Sequence, residues 1–373
     1  MERRQTPKGM EEPPKPKVVV LYTHSAYLIK GEPADLVAEQ EVIGTAQAVA
    51  DALKARGYRV ALVPVYDDVE SALASYPPSQ WVVFNLAEGM RGRLFEEARI
   101  AWALEAMGYR FTGSDGEATV LSVHKARGRA RLAAAGVPVP PGRLFRHPDE
   151  VTARTTAELS FPLIVKPMAE HGSLGIDPQA VVANQAELRA RVRYVTERYR
   201  QAALVEAFIP GRELAVALWG DPPQMLPPAE ADFSAFSEPH TRVVSFAAKW
   251  QPDTFEYQNM PSLCPAPIDA SLALRLEETA RRVWQIVGCR GYARLDTRVT
   301  TDGIIYVIDI NTNPDLAPDA GFFRSAQAAG HMYADMIEHI LELALGEEIG
   351  ADRQGAKSRW DFHFGIDGQS RSL

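Results

Sequence analysis

The sequence predicts a doubly wound α/β fold for the first hundred or so residues, continued by mixed α+β regions. Two observations predict it. From Val18 to Met107, apolar runs of strand length alternate with helical stretches, the pattern of a parallel sheet covered by helices. After Gly136, shorter strand-like runs follow one another around proline and glycine turns, with long helices set between them.

Each element has its own signal. Val18 to Tyr22 is apolar at every position, as a strand buried on both faces is. A helix is expected from Glu39 to Arg56, closed by Gly57, then a strand at Arg59–Val65, a short helix and a strand at Trp81–Leu86. A further helix, Phe95 to Met107, stops at Gly108, a residue suited to the left-handed conformation at a helix end. Thr112 to Gly116 reads as a linker, followed by a helical region carrying Lys125 and broken at Gly136 to Pro141. Phe161 to Pro167 is a strand ending in the loop Glu170–Gly175. Asn184 to Arg200 is a helix with arginines on a solvated face. Strands follow at Ala203–Phe208 and Glu213–Trp219, and proline-rich loops fill much of 221–267. A helix at Asp269–Val287, two strands and a last helix at Ser325–Leu345 complete the order. The expected division is a flexible leader at 1–16, an α/β unit at 17–115, further units at 116–205 and 206–350, and a tail at 351–373.

Composition narrows the function. The 373 residues are 46% hydrophobic and 24% charged, which suits a globular chain with a real core. A net charge of −8 gives no cationic footprint for nucleic acid, although a local basic pocket is compatible with it. Cys264 and Cys289 are too few for a disulfide framework or a thiolate zinc site. No apolar run reaches the roughly 18 residues of a membrane span, and the leader has no signal-peptide core. A cytoplasmic protein without membrane partners is expected.

Chemistry concentrates in the segment from Gly291 to Asn311. Asp302-Gly303 is a two-residue hairpin signal. With those residues at the tip, Asp296 lies opposite Asp309 and Arg294 opposite Asn311, all on one face. Ala293, Leu295, Val299, Tyr306, Ile308 and Ile310 occupy the other, core-like face. Like charges directly across a sheet repel. A bound cation turns that repulsion into coordination, and carboxylate with amide oxygen suits Mg²⁺. The plain alternative is an amphipathic hairpin whose polar face meets water.

A second signal is Lys166 at a strand end, before the loop Glu170-His171-Gly172-Ser173-Leu174-Gly175. A lysine there can neutralise phosphate charge, and a glycine loop lets backbone N–H groups approach phosphate oxygens. A solvated strand-end lysine is the competing reading. Neither a Walker sequence nor G-x-G-x-x-G is present, which argues against P-loop and dinucleotide enzymes.

Together and in order, these features resemble the D-alanine–D-alanine ligase-like branch of the ATP-grasp superfamily, over about Phe84 to Leu345. Asn85-Leu86-Ala87-Glu88-Gly89 and Tyr109 to Ser114 resemble the end of the family's first domain. Leu121 to Lys125 resembles its first ATP lysine motif and Val165-Lys166-Pro167 its second, with Glu170 to Gly175, including Gly172 and Ser173, as the loop over the phosphates. Glu206-Ala207-Phe208-Ile209 resembles the adenine hinge, Glu213 the glutamate near the ribose, and Ala247-Ala248-Lys249-Trp250 the third lysine motif. Arg294-x-Asp296 and Asp309-Ile310-Asn311 resemble the arginine and metal ligands.

The resemblance implies an ATP-grasp fold with a small central and a larger C-terminal α+β domain. It implies a ligase that joins a small-molecule carboxylate to an amine through an acyl phosphate, releasing ADP and phosphate. Lys125, Lys166 and Lys249 then spread positive charge over ATP. Asp296, Asp309 and Asn311 hold Mg²⁺, two ions being expected and Mn²⁺ an acceptable replacement. Arg294 stabilises the oxyanion, Lys249 and Ser173 act beside it, and the loop excludes water. A homodimer is common in this family.

Four features depart from it, one being Asp309, an aspartate where glutamate is commoner in the family. Tyr22 to Tyr27 lacks the glycine-rich turn and its substrate-anchoring glutamate, with neither Glu39 nor Glu41 at a matching position. Trp250 replaces a tyrosine. Asn313 to Gly321 replaces the serine-bearing segment that grips the acceptor carboxylate. Another amino acid or a specialised metabolite therefore suits the chain better than D-alanine. A phosphotransferase with the same ATP site, and a non-catalytic nucleotide-binding protein, are the competing functions.

Overall fold

The computed structural model describes residues 15–24, 28–89 and 93–346. The expected tail at 351–373, and the leader as far as residue 14, lie outside them. The chain begins with β1 (Lys17–Thr23), α1 (Leu36–Ala55), β2 (Arg59–Val65), α2 (Val69–Leu73), β3 (Trp81–Leu86) and α3 (Glu96–Ala106). The three strands form a parallel sheet in the order β2-β1-β3. Successive side chains leave a strand on opposite faces, and both faces here are apolar. Val18, Val20 and Phe84 pack on Val49 and Leu53 of α1. Val19, Leu21 and Val83 pack on Leu73, Ile100 and Leu104 of α2 and α3. This is the doubly wound arrangement the continuous apolar strands require.

Next come α4 (Gly116–Val123), α5 (Lys125–Ala134), β4 (Gly142–Phe145), β5 (Leu163–Pro167), β6 (Val181–Val182), α6 (Gln185–Arg198) and β7 (Ala203–Ala207). The strands form an antiparallel sheet, β4-β7-β5-β6. Strand β7 crosses the expected boundary at residue 205. Asp115 and Asn184 cap α4 and α6 by accepting from N–H groups in the first turn.

The Thr112–Gly116 segment joins α3 to α4 as a packed connection, and the expected arginine face of α6 is corrected. Thr112 and Ser114 are buried, the Thr112 hydroxyl accepts from Asn85 N at 2.9 Å, and the Ser114 hydroxyl accepts from Arg290 N at 3.1 Å. Helix α6 does not turn all its arginines to water. Arg191 is buried and donates to Asp177 at 2.9 Å and to the Gly175 carbonyl at 2.7 Å, fastening the end of the glycine loop.

The remainder runs β8 (Arg212–Trp219), β9 (Gln224–Met225), β10 (Ala229–Ala231), α7 (Phe246–Trp250), α8 (Phe255–Asn259), β11 (Ser262–Leu263), α9 (Ala270–Val287), β12 (Tyr292–Val299), β13 (Ile305–Asn311), α10 (Gly321–Ala328) and α11 (Tyr333–Gly346). The region expected as proline-rich loops thus holds three short strands and two short helices. The expected last helix is two helices. Gly330, with φ at +94°, leaves the helical conformation and separates them. Strands β11-β10-β8-β12-β13, with β9 on β8, form the largest sheet. Leu272, Leu276, Ala280, Val283 and Val287 recur at helical spacing on α9 and cover its apolar face.

The β12–β13 hairpin corrects the expected turn. Thr300 N donates to Ile304 O at 3.0 Å, so the loop is the three residues Thr301–Gly303, with Gly303 at φ +83°. Near the turn the register is therefore one residue away from expectation, with Val299 opposite Ile305 and Thr297 opposite Val307. A register shift between Asp296 and Thr297 leaves Ile308 as the extra residue, and beyond it Asp296 faces Asp309 and Arg294 faces Asn311. The bulge also changes the core list. Ile305 and Val307 join the core in place of Tyr306 and Ile308, and Ile308 lines the cavity.

Candidate active site

One cavity of about 760 Å³ lies among the three sheets. The residues assigned to a site from the sequence line it: Lys125, Lys166, Glu170, Gly172 and Ser173 from the central region; Glu206, Ile209, Glu213 and Lys249 from the stretch between β7 and α7; Arg294, Asp296, Asp309 and Asn311 from the hairpin. No single element brings them together. Helix α5 starts at the cavity with Lys125, β5 delivers Lys166 at its end, and the antiparallel β12 and β13 place their polar faces between them.

Each acid of the hairpin has a cation of its own. Lys125 Nζ donates to both oxygens of Asp309, at 2.8 and 2.9 Å. Arg294 Nε and Nη2 donate to the two oxygens of Asp296, at 2.8 and 2.9 Å. The like-charge repulsion inferred from the sequence is thus balanced inside the chain. Burial alone would raise the Asp309 carboxyl, but Lys125, His171 and Lys166 reverse this and hold it at about 2. Asn311 Oδ1 accepts from Asn313 N at 2.9 Å, which fixes the amide beside the two acids. Two ionised carboxylates in direct register with an amide oxygen two residues further form a hard-oxygen donor set that fits Mg²⁺. Among the described residues no group of three or more His, Cys, Asp and Glu side chains could by itself hold a metal ion, and Asn311 adds an amide oxygen to the two acids.

The lysines differ in surroundings. Lys166 Nζ lies 2.6 Å from Glu206 Oε2 and donates to the Ile308 carbonyl at 3.3 Å. Glu206 is fully buried and also sits 2.6 Å from Arg129 Nε. Lys249 makes no ion pair among the described residues. Burial, with Arg294 next to it, pulls its ammonium below the ordinary value. Glu213 pairs with Arg298 at 2.7 Å, and the Arg298 guanidinium lies over the rings of Phe208 and Phe233.

The glycine loop is fastened on several sides. Ser173 Oγ donates to the Val244 carbonyl, and Trp250 Nε1 donates to the Gly172 carbonyl, both at 2.8 Å. Gly172 and Ser173 both take positive φ, +63° and +61°. Lys30 and Gln201 both donate to Glu170. His171 Nε2 lies 3.5 Å from Glu97 Oε2. Burial lowers the His171 imidazole to about 4, while burial and Glu88 hold the Glu97 carboxyl well above the carboxylate range.

Sequence reasoning missed Glu97, Arg129 and Lys30. Glu97 sits in the first turn of α3, where an acid reads as a solvated partner of the helix dipole. Its burial comes from contacts far along the chain. Of the two glutamates considered as substrate anchors, Glu41 lines the cavity and the Glu39 side chain lies outside the described ones. Asp315 and Asp319 of the altered segment line it as well.

Comparison with known proteins identifies the family and the fold. The family model for the D-ala D-ala ligase C-terminus matches residues 132–342. An uncharacterised protein, y4sG, of Sinorhizobium fredii is 32% identical over 72% of this chain and 76% of its own length. A D-alanine–D-alanine ligase of Desulforudis audaxviator is 31% identical over 83% of this chain and 95% of its own. The crystal structure of D-alanine–D-alanine ligase from Bacillus anthracis with ATP superposes with a TM-score of 0.70, covering 89% of this chain and 98% of that one, at 19% identity. VanG D-Ala:D-Ser ligase from Enterococcus faecalis gives 0.64 over 88% and 100%, at 20% identity. These two structures share the ATP-grasp fold with this chain.

Proposed function

The chain belongs to the D-alanine–D-alanine ligase family of ATP-grasp enzymes, which form C–N bonds, and from that premise we propose that it activates a carboxylate as an acyl phosphate and passes it to an amine. ADP and phosphate are the co-products. The observation that supports this reading best is Asp296 in direct register with Asp309, facing the same cavity as three lysines and Arg294.

In this reading Lys125, Lys166 and Lys249 draw the triphosphate into the cavity and hold its charge. Asp296, Asp309 and Asn311 hold Mg²⁺, two ions with Mn²⁺ able to replace them. Bound there, the ion would supply electrostatic stabilisation of the phosphate charge. On nucleotide binding Lys125 exchanges part of its contact with Asp309 for phosphate. Arg294 turns one N–H from Asp296 to the oxyanion that forms when the amine attacks. Glu206 to Ile209 and Glu213 embrace the nucleoside. The loop closed by Ser173 and Trp250 keeps water from the acyl phosphate.

For this chemistry the chain divides into a substrate-side unit at 17–115, an ATP unit at 116–205 and a metal-bearing unit at 206–350. The substrates differ from two D-alanines. Asp315 and Asp319 stand where the family grips a second carboxylate, and they repel one. Homodimeric assembly and action in the cytoplasm complete the reading. Among the described residues no helix is long and apolar enough to cross a membrane.

The test is a screen of amino acids and small amines for ADP release, with mass spectrometry of the product. An amide with one ADP per bond is expected. AMP release overturns the acyl-phosphate route, and a phosphorylated product identifies a phosphotransferase.

A further inference from the structure

Helix α5 carries two cations one turn apart, Lys125 and Arg129, and each meets a carboxylate of a different sheet. Lys125 reaches Asp309 of β13. Arg129 reaches Glu206 of β7 from outside the cavity: Lys166 and Glu206 line it, and Arg129 does not. Glu206 thus lies between two cations, with Arg129 Nε at 2.6 Å from one oxygen and Lys166 Nζ at 2.6 Å from the other. The Arg129 guanidinium is itself held by the Pro140 carbonyl. The side chains of Arg129 and Lys166 are 14% and 13% exposed, and that of Glu206 is wholly buried, so solvent screens the triad poorly.

Arginine, glutamate and lysine sum to one positive charge. Without the arginine, Glu206 and Lys166 form a neutral pair, and the lysine offers an anionic ligand little net attraction. With it, Glu206 is neutralised from behind and the lysine's charge is left for the cavity. We propose that Arg129 is a positioning residue for the nucleotide: by neutralising Glu206 it leaves Lys166 in charge of the ATP phosphates. The inference rests on the reading of Lys166 as a nucleotide-binding lysine and assigns a role to a residue that touches no ligand. Gly142, opposite Glu206 in the β4–β7 register, fits the same picture. A Cβ there would meet Glu206 Cγ at 3.0 Å and the Val205 carbonyl at 2.3 Å, so only a glycine lets β4 lie this close to β7 beside Glu206.

The experiment measures equilibrium binding of ATP and of adenosine to the full chain by calorimetry, with no carboxylate or amine present. In Arg129→Gln the ATP-to-adenosine affinity ratio is expected to fall by roughly tenfold, the scale of one partly buried charge acting on phosphate. Steady-state kinetics should show the same rise in KM for ATP with kcat within about twofold. Arg129→Lys should restore the ratio to within about threefold, because it keeps the charge. Should Arg129→Gln not fold, Arg129→Met, which keeps the length and apolar stem of the side chain without its charge, carries the same test with the same expected fall. A ratio unchanged in the charge-deleting variant, or an Arg129→Lys as weak as that variant, overturns the proposal. Amide formation is assayed separately and tests the ligase reading, so the two fail independently.

Discussion

Arg294 and Asp296 point from the same face of β12 and form a two-pronged pair, with both carboxylate oxygens bound at 2.8 and 2.9 Å. The residue assigned to the oxyanion and a residue assigned to the metal thus hold each other until ligands arrive. Asp296→Asn removes the charge on both accounts. ADP release should fall by about a hundredfold or more, the scale of losing one element of an electrostatic clamp. Circular dichroism should show a folded chain. Turnover that survives the change removes the hairpin from the site. Lys166→Ala, which leaves Glu206 to Arg129 alone, should be equally damaging.

Trp250, which the resemblance sets in place of a tyrosine, fastens the Gly172 carbonyl with its indole N–H at 2.8 Å. Trp250→Phe keeps most of the apolar contact and deletes that bond. A loop held less firmly admits water to the activated intermediate. The expected outcome is uncoupling: ADP formed per amide rises above one, by a factor of about two to ten. A ratio that stays at one shows that Ser173 and the Val244 carbonyl suffice to close the loop.

His171 gives a pH prediction with a definite sign. Burial lowers its imidazole from 6.5 to about 4. Between those values the unfolded chain binds a proton that the folded chain refuses, so stability falls as pH drops through the window. Over that window the loss amounts to at most about 3 kcal/mol. Glu97, held above its ordinary value, acts with the opposite sign, because the folded chain binds the proton there. The difference between parent and His171→Asn therefore carries the test. Urea unfolding with chelator should show a shallower acid slope for the variant, and parallel slopes count against the burial described.

How far the sequence reached is clearest at the hairpin. Asp302-Gly303 announced a turn, yet the loop is one residue longer, and the strand then takes up the difference in a bulge at Ile308. The two departures cancel at Asp296 and Asp309, which is why the facing acids were legible although Tyr306 and Ile308 were placed on the wrong face. Strand and helix existence in the first sheet was equally legible, because apolar runs and caps are local. The pairings Lys125–Asp309, Arg129–Glu206 and Lys30–Glu170 were not. They join residues 184, 77 and 140 positions apart, and spacing along a chain carries no record of such meetings.

Gly128 tests how closely α5 must approach its neighbour. A glycine within a helix ordinarily costs about 1 kcal/mol relative to alanine, so Gly128→Ala would stabilise an isolated α5. In the folded chain a Cβ at this position would lie 2.3 Å from the Leu121 carbonyl oxygen of α4, a backbone atom that cannot swing aside. Overpacking of this kind costs about 1–3 kcal/mol, enough to outweigh the gain in propensity. The substitution is therefore expected to lower stability in urea. Relief by moving α5 away from α4 would also withdraw Lys125, three residues earlier, from Asp309, and raise the KM for ATP by about three- to tenfold. A more stable variant with unchanged KM would mean that the helices part without cost, and that the position of Lys125 is set by its contact with Asp309 rather than by the close packing of α4 and α5.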